Sequence, residues 1–140
     1  LVLIEEIVGR FERESAMTVY LHSEGNMPNL SPVAEVQFLG IVREGLANAR
    51  KHSGAKLIRI FIQALSDGGY RLLIEDDGIG FDRISITTQS REHVGLSIMQ
   101  DRAQRLGGVL KIESEPGEGT RLELTSKIVS PVLNRLSTVS

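Results

Sequence analysis

The chain has 140 residues, enough for one domain, and 41% of them are hydrophobic, enough for a single core. A formal net charge of -2 and aromatic residues at 4% provide neither a basic surface nor many stacking side chains, so nucleic acid is not the expected partner. Cysteine is absent, which excludes disulfides and thiolate metal sites.

Hydrophobic residues at helical spacing predict an amphipathic helix over residues 1–14, with Leu3, Ile4, Ile7, Val8 and Phe11 on its packed side. Glu5 and Glu6 interrupt the apolar start, so we expect neither a signal peptide nor a membrane-spanning segment. A first residue other than Met suggests a piece of a longer protein. A short strand over 17–21 and a loop over 23–32 follow.

A second, longer helix is predicted from Pro32 to about Lys51, with Ser31 as its N-cap. Its apolar stripe consists of Phe38, Leu39, Val42, Leu46 and Ala49. A separate polar face holds Glu44, Asn48, Lys51 and His52. A solvated surface explains any one of these polar side chains, but the four together, with an asparagine in mid-helix, indicate a partly covered functional face.

Four segments of alternating hydrophobicity predict two antiparallel hairpins. The first joins strands over 56–63 and 70–76 through Ser-Asp-Gly-Gly, and the second joins strands over 109–114 and 120–125 through Pro-Gly-Glu-Gly. Hairpins separated by helices predict an α/β (α+β) fold, a two-layer sandwich with a mixed, mostly antiparallel sheet and helices on one face.

The segment between the hairpins combines a loop and a helix. Residues 82–92 are too polar to be buried and predict a loop, after which the helical pattern runs from Val94 to Gly107. We therefore expect one domain over residues 1–126, followed by a tail over 127–140 that has no informative pattern.

The strand that ends at Asp76 runs into an acidic, glycine-rich sequence. Alternation places Asp76 on the same inward face as Leu72 and Ile74. Gly78 and Gly80 permit positive φ and close approach of a ligand to the backbone. A polar turn explains Asp-Asp-Gly by itself, but a carboxylate at the edge of a core requires a partner.

These parts together match a nucleotide. Asp76 can accept a hydrogen bond from an exocyclic amino group of a base, and Asn48 offers a neutral oxygen to Mg²⁺, which also takes waters and phosphate oxygens. Candidate phosphate contacts are Lys51, His52 and the amides near Gly95 and Leu96 at the expected helix start. Neither a P-loop nor a dinucleotide motif is present, and the three histidines lack the spacing of a zinc site.

Three ordered motifs resemble the boxes of the histidine kinase ATP-binding domain. Residues 43–52, Arg-Glu-Gly-Leu-Ala-Asn-Ala-Arg-Lys-His, are similar to its N box, and residues 76–81, Asp-Asp-Gly-Ile-Gly-Phe, to its G1 box. Residues 95–103, Gly-Leu-Ser-Ile-Met-Gln-Asp-Arg-Ala, and 117–120, Gly-Glu-Gly-Thr, are similar to its G2 region. The resemblance covers about residues 15–126, and the third box is most similar to the nitrate/nitrite sensor kinase branch.

The resemblance implies a Bergerat fold that binds ATP with Mg²⁺. It assigns Asn48 to the metal, Lys51 and His52 to the phosphates, and Asp76 to the adenine amino group. The remaining nucleotide-binding positions that it implies are Gly78, Gly80, Gly95, Leu96 and Thr120, the last of them near adenine. Residues 82–94 would form the ATP lid, and the catalytic residues would be Asn48 and Glu44, the latter orienting groups beside the metal and the γ-phosphate.

Kinases of this kind phosphorylate a histidine on a separate dimerisation domain and then serve a response regulator. No histidine of this chain lies in the Arg-Asp-Leu-His-Asp type of context of that domain, so the resemblance implies a catalytic domain without its own phosphoacceptor. It also implies a cytoplasmic domain, without direct membrane contact, whose parent protein lies in the bacterial inner membrane.

Two alternatives remain open from the sequence. Anti-sigma-factor serine kinases share the fold and the N box, although the Met-x-x-Arg-Ala segment and the first residue weigh against them. A nucleotide-binding module without transfer activity would carry the same boxes.

Overall fold

The structure is a computed structural model that describes residues 2–25, 29–52, 56–78, 91–114, 117 and 119–126. The elements in these ranges are α1 (Val2–Ser15), β1 (Thr18–Glu24), α2 (Pro32–His52), β2 (Leu57–Ala64), β3 (Tyr70–Asp76), α3 (Arg91–Arg105), β4 (Gly108–Ser114) and β5 (Thr120–Ser126). Within the described ranges, every helix is too short or too polar to cross a membrane.

The five strands form one sheet in the order β1-β2-β3-β5-β4. β1 and β2 are parallel, because α2 crosses over between them, and the other three pairs are antiparallel. Both predicted hairpins are confirmed, as β2 with β3 and β4 with β5. The mixed, mostly antiparallel sheet confirms the predicted fold class.

One face of the sheet is apolar and lies under the helices. Ile60 pairs with Ile74, and Ile74 pairs with Leu122, so aliphatic side chains continue from strand to strand across the buried face. The predicted stripe of α2 is confirmed, because all five members are buried. Packing a helix stripe on such a face removes both apolar surfaces from water, which is the main favourable term in folding.

The N-terminus of α2 and most of the packed side of α1 agree with the sequence pattern. In α2, the amide of Ala34 donates to Ser31 Oγ at 3.1 Å, which confirms the predicted N-cap. In α1, Ile4 and Val8 are buried as predicted. The expectation that Leu3 also packs is wrong, since its side chain is 45% exposed on the outer side of the helix.

The opposite face of the sheet carries charged pairs. Arg71 Nη2 donates to Glu123 Oε2 at 2.8 Å across β3 and β5. This hydrogen bond holds the pKa of Glu123 below its ordinary value. His22 lies on the same face, with its ring edge against Phe61 and its Nε2 3.2 Å from Glu24 Oε1.

Tyr70 begins β3 inside the core, where its ring meets Phe38 edge-on at 5.3 Å between centroids. Its hydroxyl is buried without a hydrogen bond to the described residues, and the neighbouring Ser126 hydroxyl donates to the carbonyl of Leu106. Burial raises the pKa of Tyr70 to about 12.

This raised pKa gives an expected alkaline destabilisation. Folding holds the Tyr70 proton more tightly, so its contribution to stability is complete below about pH 10 and is lost as pH rises through about 12. The free energy of unfolding should fall by about 2 kcal/mol over that window. Chemical denaturation from pH 8 to pH 12 measures it: Tyr70→Phe should remove this loss, and the exposed control Tyr20→Phe should retain it. An equal loss in all three proteins would contradict the assignment.

Candidate functional site

A pocket lies between the helices and one end of the sheet. It is lined by Gly45 and Asn48 from α2, Ile74 and Asp76 from β3, Leu96 and Met99 from α3, Ile112 from β4, and Thr120 and Leu122 from β5. Four residues predicted to bind nucleotide, Asn48, Asp76, Leu96 and Thr120, therefore come together from four different elements.

The pocket has an apolar floor and a polar end, because two rows of side chains cross the same three strands. The apolar row pairs Ile74 with Leu122 and Leu122 with Ile112. The polar row lies two residues away on each strand, towards the same end of the sheet and hence on the same face. It pairs Asp76 with Thr120 and Thr120 with Ser114. An apolar surface beside a few polar groups suits a nucleobase.

The two adjacent aspartates at the end of β3 have different roles. Asp77 Oδ1 accepts from the amides of Lys56 and Leu57, at 3.0 and 3.1 Å, and so ties the start of β2 to the end of β3. Asp76 lines the pocket, which confirms its predicted inward orientation. The amide of Gly78 donates to Asp76 Oδ1 at 2.9 Å, so Gly78 orients the carboxylate without lining the pocket itself.

Two glycines allow backbone segments to approach the pocket closely. A Cβ on Gly45 would lie 2.8 Å from Ile74 Cδ1, so glycine lets α2 pack directly on β3. Gly119 has a φ of 81°, and a Cβ there would overlap the carbonyl oxygen of Asp76. Sequence reasoning did not assign either glycine to the site. The available signal for Gly45 was its position in mid-helix, where glycine is unfavourable without a packing reason.

The third helix begins earlier than predicted. α3 starts at Arg91 rather than Val94, so the amides of Gly95 and Leu96 follow the first four helical residues. Amides at such positions bond to carbonyl groups within the helix. The prediction that these two amides bind an anion at the helix start is therefore wrong. Leu96 instead lines the pocket with its half-buried side chain.

The predicted lid and phosphate contacts are only partly described. Residues 91–94 of the predicted lid belong to α3, and residues 82–90 lie outside the described residues, as do Gly80 and the His52 side chain. On α2, Glu44 is half-buried and Lys51 is exposed, and neither lines the pocket. Glu44 lies one helical turn before Asn48, on the face that continues from the pocket.

Sequence reasoning also missed the residues that build the floor. Met99 from α3 carried only the helical spacing expected of a core position, and Ile112 and Leu122 from the second hairpin carried only the alternation expected of core strands. Ser114, which pairs with Thr120, stood at a predicted strand end without any further signal. A residue's place beside a pocket depends on the strand order, which periodicity does not report.

A mixed five-stranded sheet under one helical layer, with an apolar floor and a polar end in the pocket between them, defines an α/β nucleotide-binding domain. The chain belongs to the histidine kinase-, DNA gyrase B-, and HSP90-like ATPase family, whose sequence model matches residues 34–129. ATP is therefore the nucleotide of this domain. The predicted resemblance to this family is confirmed.

Similar proteins include nitrate/nitrite sensors. The chain is 37% identical over 101 residues to the nitrate/nitrite sensor protein NarQ of Escherichia coli K12. The aligned segment covers 71% of this chain and 17% of that protein. It is 30% identical over 122 residues to the sensor protein NarQ homolog of Haemophilus influenzae. That aligned segment covers 87% of this chain and 21% of the relative. The chain thus spans about a fifth of the length of these relatives.

Solved structures share the fold. The histidine kinase domain of the blue-light activated histidine kinase from Erythrobacter litoralis matches with a TM-score of 0.72 at 18% identity, covering 88% of this chain and 62% of that one. The Acinetobacter baumannii histidine kinase AdeS matches with a TM-score of 0.70 at 17% identity, covering 90% and 63%.

Proposed function

We propose that this chain is the ATP-binding catalytic domain of a sensor histidine kinase, which transfers the γ-phosphoryl group of ATP to a histidine on a separate dimerisation domain. The observation that carries the proposal is the pocket, where Asp76 stands at the polar end of an apolar floor in a chain of the ATPase family. Its similarity to nitrate/nitrite sensors supports the kinase class.

The adenine ring would lie on the apolar row, with its exocyclic amino group donating to Asp76. An ionised carboxylate has about four lone-pair positions, so the bond from Gly78 to Oδ1 leaves acceptor capacity for the base. Thr120, the pairing partner of Asp76, contributes a second polar group at that end of the pocket.

Mg²⁺ would be held by Asn48 together with the ATP phosphates. The described residues include no group of three or more His, Asp or Glu side chains that could hold a metal ion by themselves. This composition fits Mg²⁺, which commonly takes one or two protein ligands and fills its shell with waters and phosphate oxygens. When bound, the ion would neutralise charge on the phosphates.

The other residues of α2 would then serve the transferred group. Lys51, exposed one turn beyond Asn48, and His52 at the end of α2 would contact phosphates, while Glu44 would orient groups at the γ-phosphate. In the transfer, the bond from the γ-phosphorus to the bridging oxygen of ADP breaks as a bond to the acceptor imidazole nitrogen forms. In-line alignment of these atoms supplies much of the rate.

The phosphoacceptor would belong to another domain of the parent protein, which would pass the phosphoryl group to a response regulator. Within this chain, His22 lies on the sheet face opposite the pocket, beside Phe61 and Glu24, so the sheet separates it from the bound nucleotide. We place the domain in the cytoplasm, where ATP is supplied, and its parent in the bacterial inner membrane.

Phosphoryl transfer in trans tests this function. Incubated alone with γ-labelled ATP, the chain should gain no base-stable, acid-labile label. A dimerisation domain from the same parent should become labelled on histidine, slowly, because separation removes a millimolar-range effective concentration. A His→Gln variant of that acceptor is the control. Label on a serine of an anti-sigma antagonist would support the serine kinase alternative, and ATP binding without transfer to either acceptor would support the non-catalytic module.

Removal of the Asn48 side chain tests the metal assignment. Asn48→Ala should weaken binding of ATP with Mg²⁺ by about tenfold, a loss of roughly 1 to 2 kcal/mol, and should change metal-free ATP much less. Calorimetric titrations with Mg²⁺ and with a chelator compare the two, and Arg50→Ala, at an exposed position of the same helix, is the matched control. Equal losses in both titrations would make Asn48 a structural residue.

A further inference from the structure

Two hydroxyl groups form a short hydrogen-bond chain at the polar end of the pocket. Ser114, the last residue of β4, places its Oγ 3.2 Å from the carbonyl oxygen of Gly119 and 3.0 Å from Thr120 Oγ1. Thr120 lines the pocket directly beside Asp76, its pairing partner on β3. Ser114 is absent from the pocket lining and reaches the site through Thr120.

The directions of these hydrogen bonds follow from their chemistry. A carbonyl oxygen only accepts, so the Ser114 hydroxyl donates its single proton to Gly119. In the contact with Thr120, Ser114 must then be the acceptor, and the Thr120 hydroxyl donates to it. Because the only proton of Thr120 is directed at Ser114, Thr120 offers lone pairs to the pocket.

We propose that Ser114 is a positioning residue that holds Thr120 as a hydrogen-bond acceptor and thereby contributes to the choice of nucleobase. This inference rests on the proposed ATP site. Asp76 is also an acceptor, so the polar end of the pocket presents two neighbouring acceptors. An exocyclic amino group, as in adenine, has two protons to donate, whereas a carbonyl group at the same position, as in hypoxanthine, has none.

Replacement of Ser114 should therefore change base selectivity. In Ser114→Ala, Thr120 loses its acceptor, and its hydroxyl becomes free to turn its proton into the pocket. ATP affinity should fall by about threefold to tenfold, the value of one hydrogen bond, while ITP affinity stays the same or rises. The ITP-over-ATP ratio of dissociation constants, from parallel calorimetric titrations, should fall by at least the same factor.

Two further comparisons separate positioning from a structural effect. Ser114→Thr keeps the hydroxyl and should retain the ratio. Ser114→Val, which is nearly isosteric with Ser114→Thr but lacks its hydroxyl, should lose the ratio. This pair keeps the test available even if alanine loosens the strand end. In a Thr120→Val background, Ser114→Ala should change the ratio no further, because Ser114 acts through the Thr120 hydroxyl.

An equal loss of ATP and ITP affinity in Ser114→Ala, with an unchanged ratio, would overturn the inference and make Ser114 a purely structural residue. A further drop in the ratio in the Thr120→Val background would likewise overturn it. Failure of the proposed ATP site is distinguishable, because the unsubstituted chain would then bind neither nucleotide, whereas failure of phosphoryl transfer alone would leave both affinities measurable.

Discussion

Asp76→Asn is expected to lower ATP affinity by about tenfold to a hundredfold, equivalent to roughly 1 to 3 kcal/mol. The reason lies in the number of acceptor atoms. The Gly78 amide already donates to Asp76 Oδ1, so the single oxygen of an asparagine would be held there and its NH₂ group would face the base. Two donors, the side-chain NH₂ and the adenine amino group, would then oppose each other.

Calorimetric titration with ATP measures this loss, and circular dichroism checks that the fold is retained. Glu75→Gln is the matched control, because Glu75 precedes Asp76 but points to the opposite face of the sheet, 3.8 Å from the Arg121 guanidinium. The control should bind ATP like the unsubstituted chain. Unchanged affinity in folded Asp76→Asn would remove Asp76 from the adenine site.

Gly119→Ala should give a large loss of stability, about 2 to 4 kcal/mol in the free energy of unfolding. Two effects add. A positive φ of 81° costs an L-residue about 1 to 2 kcal/mol, and the new Cβ would overlap the Asp76 carbonyl oxygen, so the end of β3 must shift. Because that shift moves Asp76, ATP affinity should fall as well.

Urea denaturation measures the stability loss, and Gly117→Ala is its control within the same hairpin. Gly117 has a φ of 87°, but a Cβ there would meet no atom of the described residues within 4 Å, so the backbone conformation is the penalty that these residues impose. The control should therefore lose about 1 to 2 kcal/mol and keep its ATP affinity. Equal losses of stability in the two variants would show that the close approach to Asp76 contributes nothing.

Local patterns predicted the elements of the domain because their causes are local. The buried stripe of α2, the Ser31 cap and both hairpins depend on residues a few positions apart. The order of the three boxes likewise predicted the family that the sequence model confirms. The prediction of the α3 start was wrong, since the polar residues before Val94 show no apolar periodicity even though the helix already begins at Arg91.

The sequence alone was enough to predict the strand and helix periods, the family, the inward orientation of Asp76 and the polar face of α2. Which side chains meet at the pocket depends on the strand order and helix packing of the folded domain. The polar row of Asp76, Thr120 and Ser114 exists because β5 inserts between β3 and β4 in a particular register. The overlap that excludes a side chain at Gly119 arises from the same arrangement. The contacts of Asp76 with Thr120 and Gly119 join residues more than forty positions apart in the chain, and periodicity, which acts over a few residues, contains no information about them.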